Sequence, residues 1–129
     1  MADDIKLHEK EILITKEFLD ELQHVNNIEY VKWVEMIATE HWELLKNSTS
    51  YKDYIWFMVD HFIQYKKQAY EGQKLLIRTY PLQPNGVRQP RKVEFYVDGE
   101  LIADSLTHWV LIHPETTRVT RLDANWLDF

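Results

Sequence analysis

From Asn26 to about Lys46 the apolar residues fall three and four positions apart. At roughly 100° per residue, Tyr30, Val31, Trp33, Val34, Ile37, Ala38, Trp42, Leu44 and Leu45 gather on one side of a helix. Lys32, Thr39, Glu43 and Lys46 gather on the other, with Glu35 and Glu40 near the border. This predicts one long amphipathic helix with a single stripe to bury. Asn26, with Glu29 three residues on, resembles a capping box and sets the helix start at Asn26 or Asn27. The polar run Asn47–Ser50 ends the helix. Elsewhere the pattern is that of strands. Glu11–Thr15 reads as a short first strand, and Phe18–Val25 as a loop. Tyr54–Tyr70 is rich in aromatic and β-branched residues, and Leu75–Tyr80 is a second such run. Pro81–Pro90 holds three of the four prolines and reads as a turn or loop. Val93–Val97 and Leu101–His113 flank Asp98-Gly99, a strong hairpin signal. Pro114–Thr117 reads as a turn and Arg118–Leu122 as a last strand. Trp126 and Phe129 suggest that the C-terminus docks. A strand, a long helix and then four or five mostly antiparallel strands make an α+β layout, because the helix stripe needs a sheet to cover it.

At 129 residues the chain is expected to form a single domain, 1–129, large enough to bury a core. It contains no cysteine, which excludes disulfides, thiolate metal sites and a cysteine nucleophile. The formal charge of −6 disfavours generic nucleic-acid binding, which needs a basic face. The first residues lack a signal-peptide pattern, and no apolar run approaches the roughly 20 residues of a membrane span. A cytoplasmic protein with no membrane partner is the expectation. The histidines are scattered without metal-binding spacing, and no Gly-rich phosphate loop is present, so no metal is expected.

The segment that suggests chemistry is Asp20-Glu-Leu-Gln-His24-Val-Asn26-Asn27. It sets a carboxylate and a histidine just before the helix N-terminus, where unpaired N–H groups stabilise negative charge. Acyl transfer needs an acid or base beside such donors. His41 lies near the centre of the apolar stripe and reads as a satisfied core histidine. Asp60 and His61 are adjacent in a strand, so their side chains point to opposite faces and are read as structural.

The layout and this segment together resemble the hot-dog fold, specifically its 4-hydroxybenzoyl-CoA thioesterase-like superfamily. The resemblance lies in Asp20, His24-Val25-Asn26-Asn27, Tyr30, Trp33 and Glu35. The Gln-His-Val-Asn-Asn run is also similar to plant acyl-carrier-protein thioesterases. Tyr65 with Gly72, and Val110–Val119, look like later pieces of the same pattern. Three positions depart from it. Gln23 stands where most relatives have glycine, Phe18 where many have a first aspartate, and Leu22 where plant relatives use a catalytic asparagine.

The resemblance implies one long helix wrapped by a curved antiparallel sheet of five or six strands. It implies an acyl-CoA thioesterase, with Asp20 as nucleophile or base and the Asn27 backbone N–H aimed at the thioester carbonyl. His24 would orient Asp20, polarise the carbonyl or move a proton, and Glu35 would take part in or contact the site. No separate cofactor is expected, since coenzyme A would enter as part of the substrate. Arg88, Arg91 and Lys92 are the candidates for its phosphates, and Tyr30, Trp33, Val34 and Phe57 for the acyl pocket. The partners implied are an acyl-CoA or acyl carrier protein thioester and further copies of the chain, as a homodimer or homotetramer. A run apolar on both sides, Tyr54, Trp56 and Met58 against Ile55, Phe57 and Val59, fits a sheet covered on both faces. Two other readings compete. One is a hot-dog domain that binds acyl thioesters without turnover. The other is a cone-shaped pocket domain of the ketosteroid-isomerase type, which expects helices before its sheet.

Overall fold

The computed structural model describes residues 6–127. Strand β1 (His8–Leu13) is followed by α1 (Asn27–Leu45), β2 (Ile55–Tyr65), β3 (Lys74–Pro81), β4 (Arg88–Val97), β5 (Glu100–Ile112) and the short β6 (Val119–Thr120). All pairings are antiparallel, in the order β1-β3-β4-β5-β2, with β6 also on β5. β6 pairs Leu111 and Ile112, just beyond Val110, where the β4 ladder stops. This is the hot-dog layout, one long helix against a curved antiparallel sheet of six strands. No helix among the described residues is long and apolar enough to cross a membrane.

The helix starts where its cap residue predicts. Asn26 has extended backbone, and its side chain accepts from the Ile28 N–H at 3.1 Å. A capping box would use the Glu29 N–H, but that group bonds the Asn26 carbonyl instead, at 2.9 Å. Tyr30, Trp33, Val34, Ile37, Ala38, His41 and Leu45 are the buried helix residues, and each has another of them three or four positions away. Val31 and Leu44, expected on the apolar side, are 37% and 61% exposed, because the sheet covers only one flank of α1.

Against this stripe the strands alternate. Leu75, Ile77 and Thr79 of β3 and Gln89, Arg91, Val93, Phe95 and Val97 of β4 point inward. Tyr30 meets the Phe95 ring edge-on at 5.0 Å, and Trp33 sits beside both. A second cluster under the far half of α1 joins Leu111, Leu122 and Trp126 to Trp42, Tyr51, Tyr54 and Trp56. Trp126 is buried and its indole N–H donates to Gln89 Oε1 at 2.8 Å, so the C-terminal segment docks as expected. Phe129 lies outside the described residues.

Several boundaries differ from the sequence expectation. β1 begins at His8, β2 ends at Tyr65, and β6 spans only two residues. The largest correction is that β4 begins at Arg88, inside the proline-rich stretch read as a loop. The Asp98-Gly99 hairpin is formed as predicted, with φ of 50° and 79° as its turn type requires. In β2 the register shifts between Met58 and Asp60, so Val59 and Asp60 are both exposed and His61 turns inward. β2 is also a sheet edge, and its outer residues Ile55, Phe57 and Phe62 are well exposed.

Candidate active site

The loop before α1 is folded back on itself. Leu19 and Val25 form an isolated antiparallel bridge, the Asn26 N–H bonds the Phe18 carbonyl at 2.9 Å, and the Asp20 N–H bonds the His24 carbonyl at 2.8 Å. Asp20 therefore sits opposite the residues that lead directly into the helix. Its Oδ1 accepts from the Leu22 N–H at 2.9 Å and the His24 N–H at 3.2 Å. Its Oδ2 receives no hydrogen bond from the described residues. The turn closes through Gln23, whose φ of 65° lies in the left-handed region. The turn forms here with a side chain at the position where the family pattern expects glycine.

Asn27 is the first residue of α1, and its N–H makes no hydrogen bond with the described residues. It is one of the orphan donors of a helix start. Its carbonyl accepts from the Tyr65 hydroxyl at 3.3 Å, which ties the end of β2 to the first turn of α1. Tyr65 also packs edge-on against Tyr30 at 5.3 Å. Burial, with Tyr65 beside it, pushes the Tyr30 phenol up to about 12, so Tyr30 stays protonated.

His24 reaches Asp20 only through its own main chain, its carbonyl accepting from the Asp20 N–H and its N–H donating to Asp20 Oδ1. The imidazole packs edge-on against Tyr70 at 5.5 Å. Glu35 is exposed and lies roughly 12 Å farther along α1 than Asn27 at about 1.5 Å per residue. Its charge is felt by His61 across the helix–sheet interface, where burial lowers the His61 pKa below its ordinary value and Glu35 partly opposes that shift. His61 Nε2 and Ser105 Oγ are 3.0 Å apart, whereas Asp60 faces outward to His108 Nδ1 at 2.7 Å and Arg88 Nη1 at 3.2 Å. The two neighbours point to opposite faces, as strand geometry requires. His41 is fully buried and accepts from Arg91 Nη1 at Nδ1, 2.9 Å. Among the apolar candidates, Tyr30, Trp33 and Val34 belong to the core next to this loop, while Phe57 is 63% exposed.

The basic trio does not converge. All three residues lie on β4, and alternation sends Arg88 and Lys92 to the outer face and Arg91 inward. Arg88 pairs with Asp60 of β2, across β5, and Lys92 with Asp104 of the neighbouring β5. Arg91 is 7% exposed, and burial pulls its guanidinium down to about 10.

The sequence pattern of the thioesterase-like superfamily matches residues 14–128. The chain belongs to that superfamily. A comparison with curated proteins gives no significant match. Among solved structures, this superfamily member resembles a DHNA-CoA thioesterase from Staphylococcus aureus, with a TM-score of 0.74 and 23% identity over 95% of this chain and 85% of that one. It also resembles a probable thioesterase from Escherichia coli, with a TM-score of 0.79 and 24% identity over 93% of both chains. Against an acyl-ACP thioesterase from Bacteroides thetaiotaomicron the TM-score is 0.84 at 14% identity, with 100% of this chain matched to 55% of that one. At such identities the likeness is one of fold.

Two features of the site carried no signal recognised in the sequence. The Asp20 tethers use main-chain donors, which any residues at positions 22 and 24 supply. Tyr65 reaches α1 from a different element, and only its place in the family pattern hinted that it mattered.

Proposed function

We propose that this chain hydrolyses acyl-CoA thioesters to a free acid and a thiol, with Asp20 as base or nucleophile and the Asn27 N–H polarising the carbonyl. The observation that carries this is the asymmetry of the Asp20 carboxylate. One oxygen is held by two main-chain N–H groups and the other has no donor among the described residues. A carboxylate fixed in this way acts without a change of rotamer. As base, it takes a proton from water, the hydroxide adds to the carbonyl carbon, and the C–S bond breaks as the proton passes to the thiolate. As nucleophile, it displaces the thiolate to form an anhydride, which water then hydrolyses to two acids. In both routes the developing oxyanion needs a donor, and one such N–H is worth about 3 kcal/mol of barrier.

Arg88 and Lys92 share the outer face of β4 and are the cations left for the coenzyme A phosphates. Arg91 is turned away from them. We also propose a homodimer or homotetramer built on β2. This edge strand carries exposed Ile55, Phe57 and Phe62, and an unpaired apolar edge in water is a liability that pairing removes.

The test is free-thiol release from acyl-CoAs of several chain lengths, with binding followed in parallel by calorimetry. Turnover of at least one is expected. Binding without turnover of any would end the hydrolase reading and leave an acyl-thioester-binding domain. The exposed Leu22, where an asparagine amide acts in plant relatives, is the feature that favours that second reading.

A further inference from the structure

A cavity of about 320 Å³ opens under the far half of α1. Its first helix residue, Ala38, is roughly 16 Å along the axis from Asn27 at about 1.5 Å per residue, and none of Asp20, His24 and Asn27 lines it. Its walls include four of the five tryptophans in the chain, Trp42, Trp56, Trp109 and Trp126. Trp42 and Trp56 meet edge-to-face at 5.5 Å, and Trp126 stands 5.8 Å from Trp56 and 6.1 Å from Trp42. Such walls suit a flat apolar body.

Arg91 also lines this cavity. Its Nη1 donates to His41 Nδ1 at 2.9 Å and Thr79 Oγ1 at 3.0 Å. A guanidinium has five donors, and these bonds use only Nη1. No buried polar side-chain atom among the described residues lacks a partner, so the remaining Nε and Nη2 groups must reach the open space of the cavity. No carboxylate of the described residues pairs with Arg91. A guanidinium this buried with no counter-charge is costly, and a bidentate anion on its free edge would offset that cost. The remaining charges at the cavity have the same bias. Among the described residues, Lys46 and Lys52 line it against the single carboxylate of Glu43, which is already paired with Lys46 at 2.7 Å. This local excess of positive charge lies in a chain whose formal charge is −6.

We propose that the cavity is a binding site, separate from Asp20, for a small organic carboxylate with a planar apolar body. The carboxylate sits on the Nε and Nη2 edge of Arg91, and the rings lie among the tryptophans. The volume accommodates one or two fused rings and falls at the small end of ligand pockets. The inference does not depend on the thioesterase reading.

The experiment is calorimetric titration of the full chain with 1-naphthoate and with 1-naphthamide, its uncharged analogue of nearly the same shape. Naphthoate is expected to bind at least about tenfold more tightly, the minimum for losing a charge-assisted pair. Arg91→Met, checked for folding by circular dichroism, is expected to abolish that preference. Trp56→Ala is expected to weaken both ligands. The wild-type comparison stands even if Arg91→Met does not fold. Equal affinity for the two ligands, or no binding of naphthoate at low millimolar concentration, would overturn the site. Competition between naphthoate and a turned-over acyl-CoA would overturn its separateness.

Discussion

Asp20→Asn and Asp20→Ala separate the loop clasp made by one carboxylate from the chemistry proposed for it. Asparagine keeps an oxygen for the Leu22 and His24 N–H groups, which lie 2.9 and 3.2 Å from Oδ1. What it loses is the charge on those bonds, about 1 kcal/mol for a pair at the protein surface. For a domain of this size that lowers the melting temperature by roughly 3–5 °C. Turnover should fall far more. Removing a base or nucleophile costs on the order of a hundredfold to ten-thousandfold, or about 3–5 kcal/mol of barrier. Alanine removes the acceptor altogether and should cost about 2 kcal/mol of stability at the same loss of rate. The assay pairs thiol release, measured well below either melting point, with thermal melts by circular dichroism. The reasoning fails if Asp20→Asn retains wild-type turnover. It also fails if the rate loss of the two variants tracks their melting temperatures, because Asp20 would then act only as a loop clasp.

Four further outcomes follow from the structure. Gln23→Gly should raise stability by about 0.5–1 kcal/mol in urea, since relief of a left-handed side chain exceeds the extra freedom of glycine when unfolded; a drop would mean the Gln23 turn is unstrained. Trp126→Ala removes a ring buried to 8% exposure and its bond to Gln89, and should cost about 3–5 kcal/mol in guanidinium; under 1 kcal/mol would mean the C-terminal segment is only loosely docked. His61 has its folded pKa held below 6.5 by burial, so its contribution is fully present above 6.5 and is lost as pH falls through the folded value. Urea melts should therefore weaken on that acid limb, and His61→Gln should flatten the slope; an unchanged slope would exclude His61 as its source. Phe57→Lys on the exposed β2 edge should shift the particle to monomer mass in light scattering, and an unchanged mass would move the interface elsewhere.

The helix was legible because its stripe has one period and its cap is local to it. The Asp98-Gly99 turn was legible because few residue pairs accept two positive φ values. β4 was misread because proline normally interrupts a sheet. Pro90 is tolerated because β3 ends at Pro81, opposite Arg91, and beyond that point the Pro90 carbonyl accepts from the Leu82 N–H, at 2.9 Å, a bond that needs no N–H from proline. The missing N–H of Pro90 breaks no ladder bond to β3. The cations at 88, 91 and 92 looked like one patch for a related reason. Read as a loop they have no fixed direction, but in a strand the inward turn of Arg91 is forced. The tryptophan cavity has no local signature at all. Its walls come from α1, β2, β4, β5 and the C-terminal segment, and only long-range packing brings them together.

The tryptophans also decide what an optical experiment on this protein sees. Trp42, Trp56 and Trp126 belong to the second aromatic cluster, whereas Trp33 alone sits in the core beside the Asp20 loop. Rings 5.5–6.1 Å apart couple electronically and exchange excitation, so near-ultraviolet ellipticity and intrinsic emission are dominated by one end of the molecule. An unfolding curve followed by emission would scarcely register the loop that carries Asp20 opening on its own. Kinetic loss without spectral change is therefore the expected signature of damage at that end.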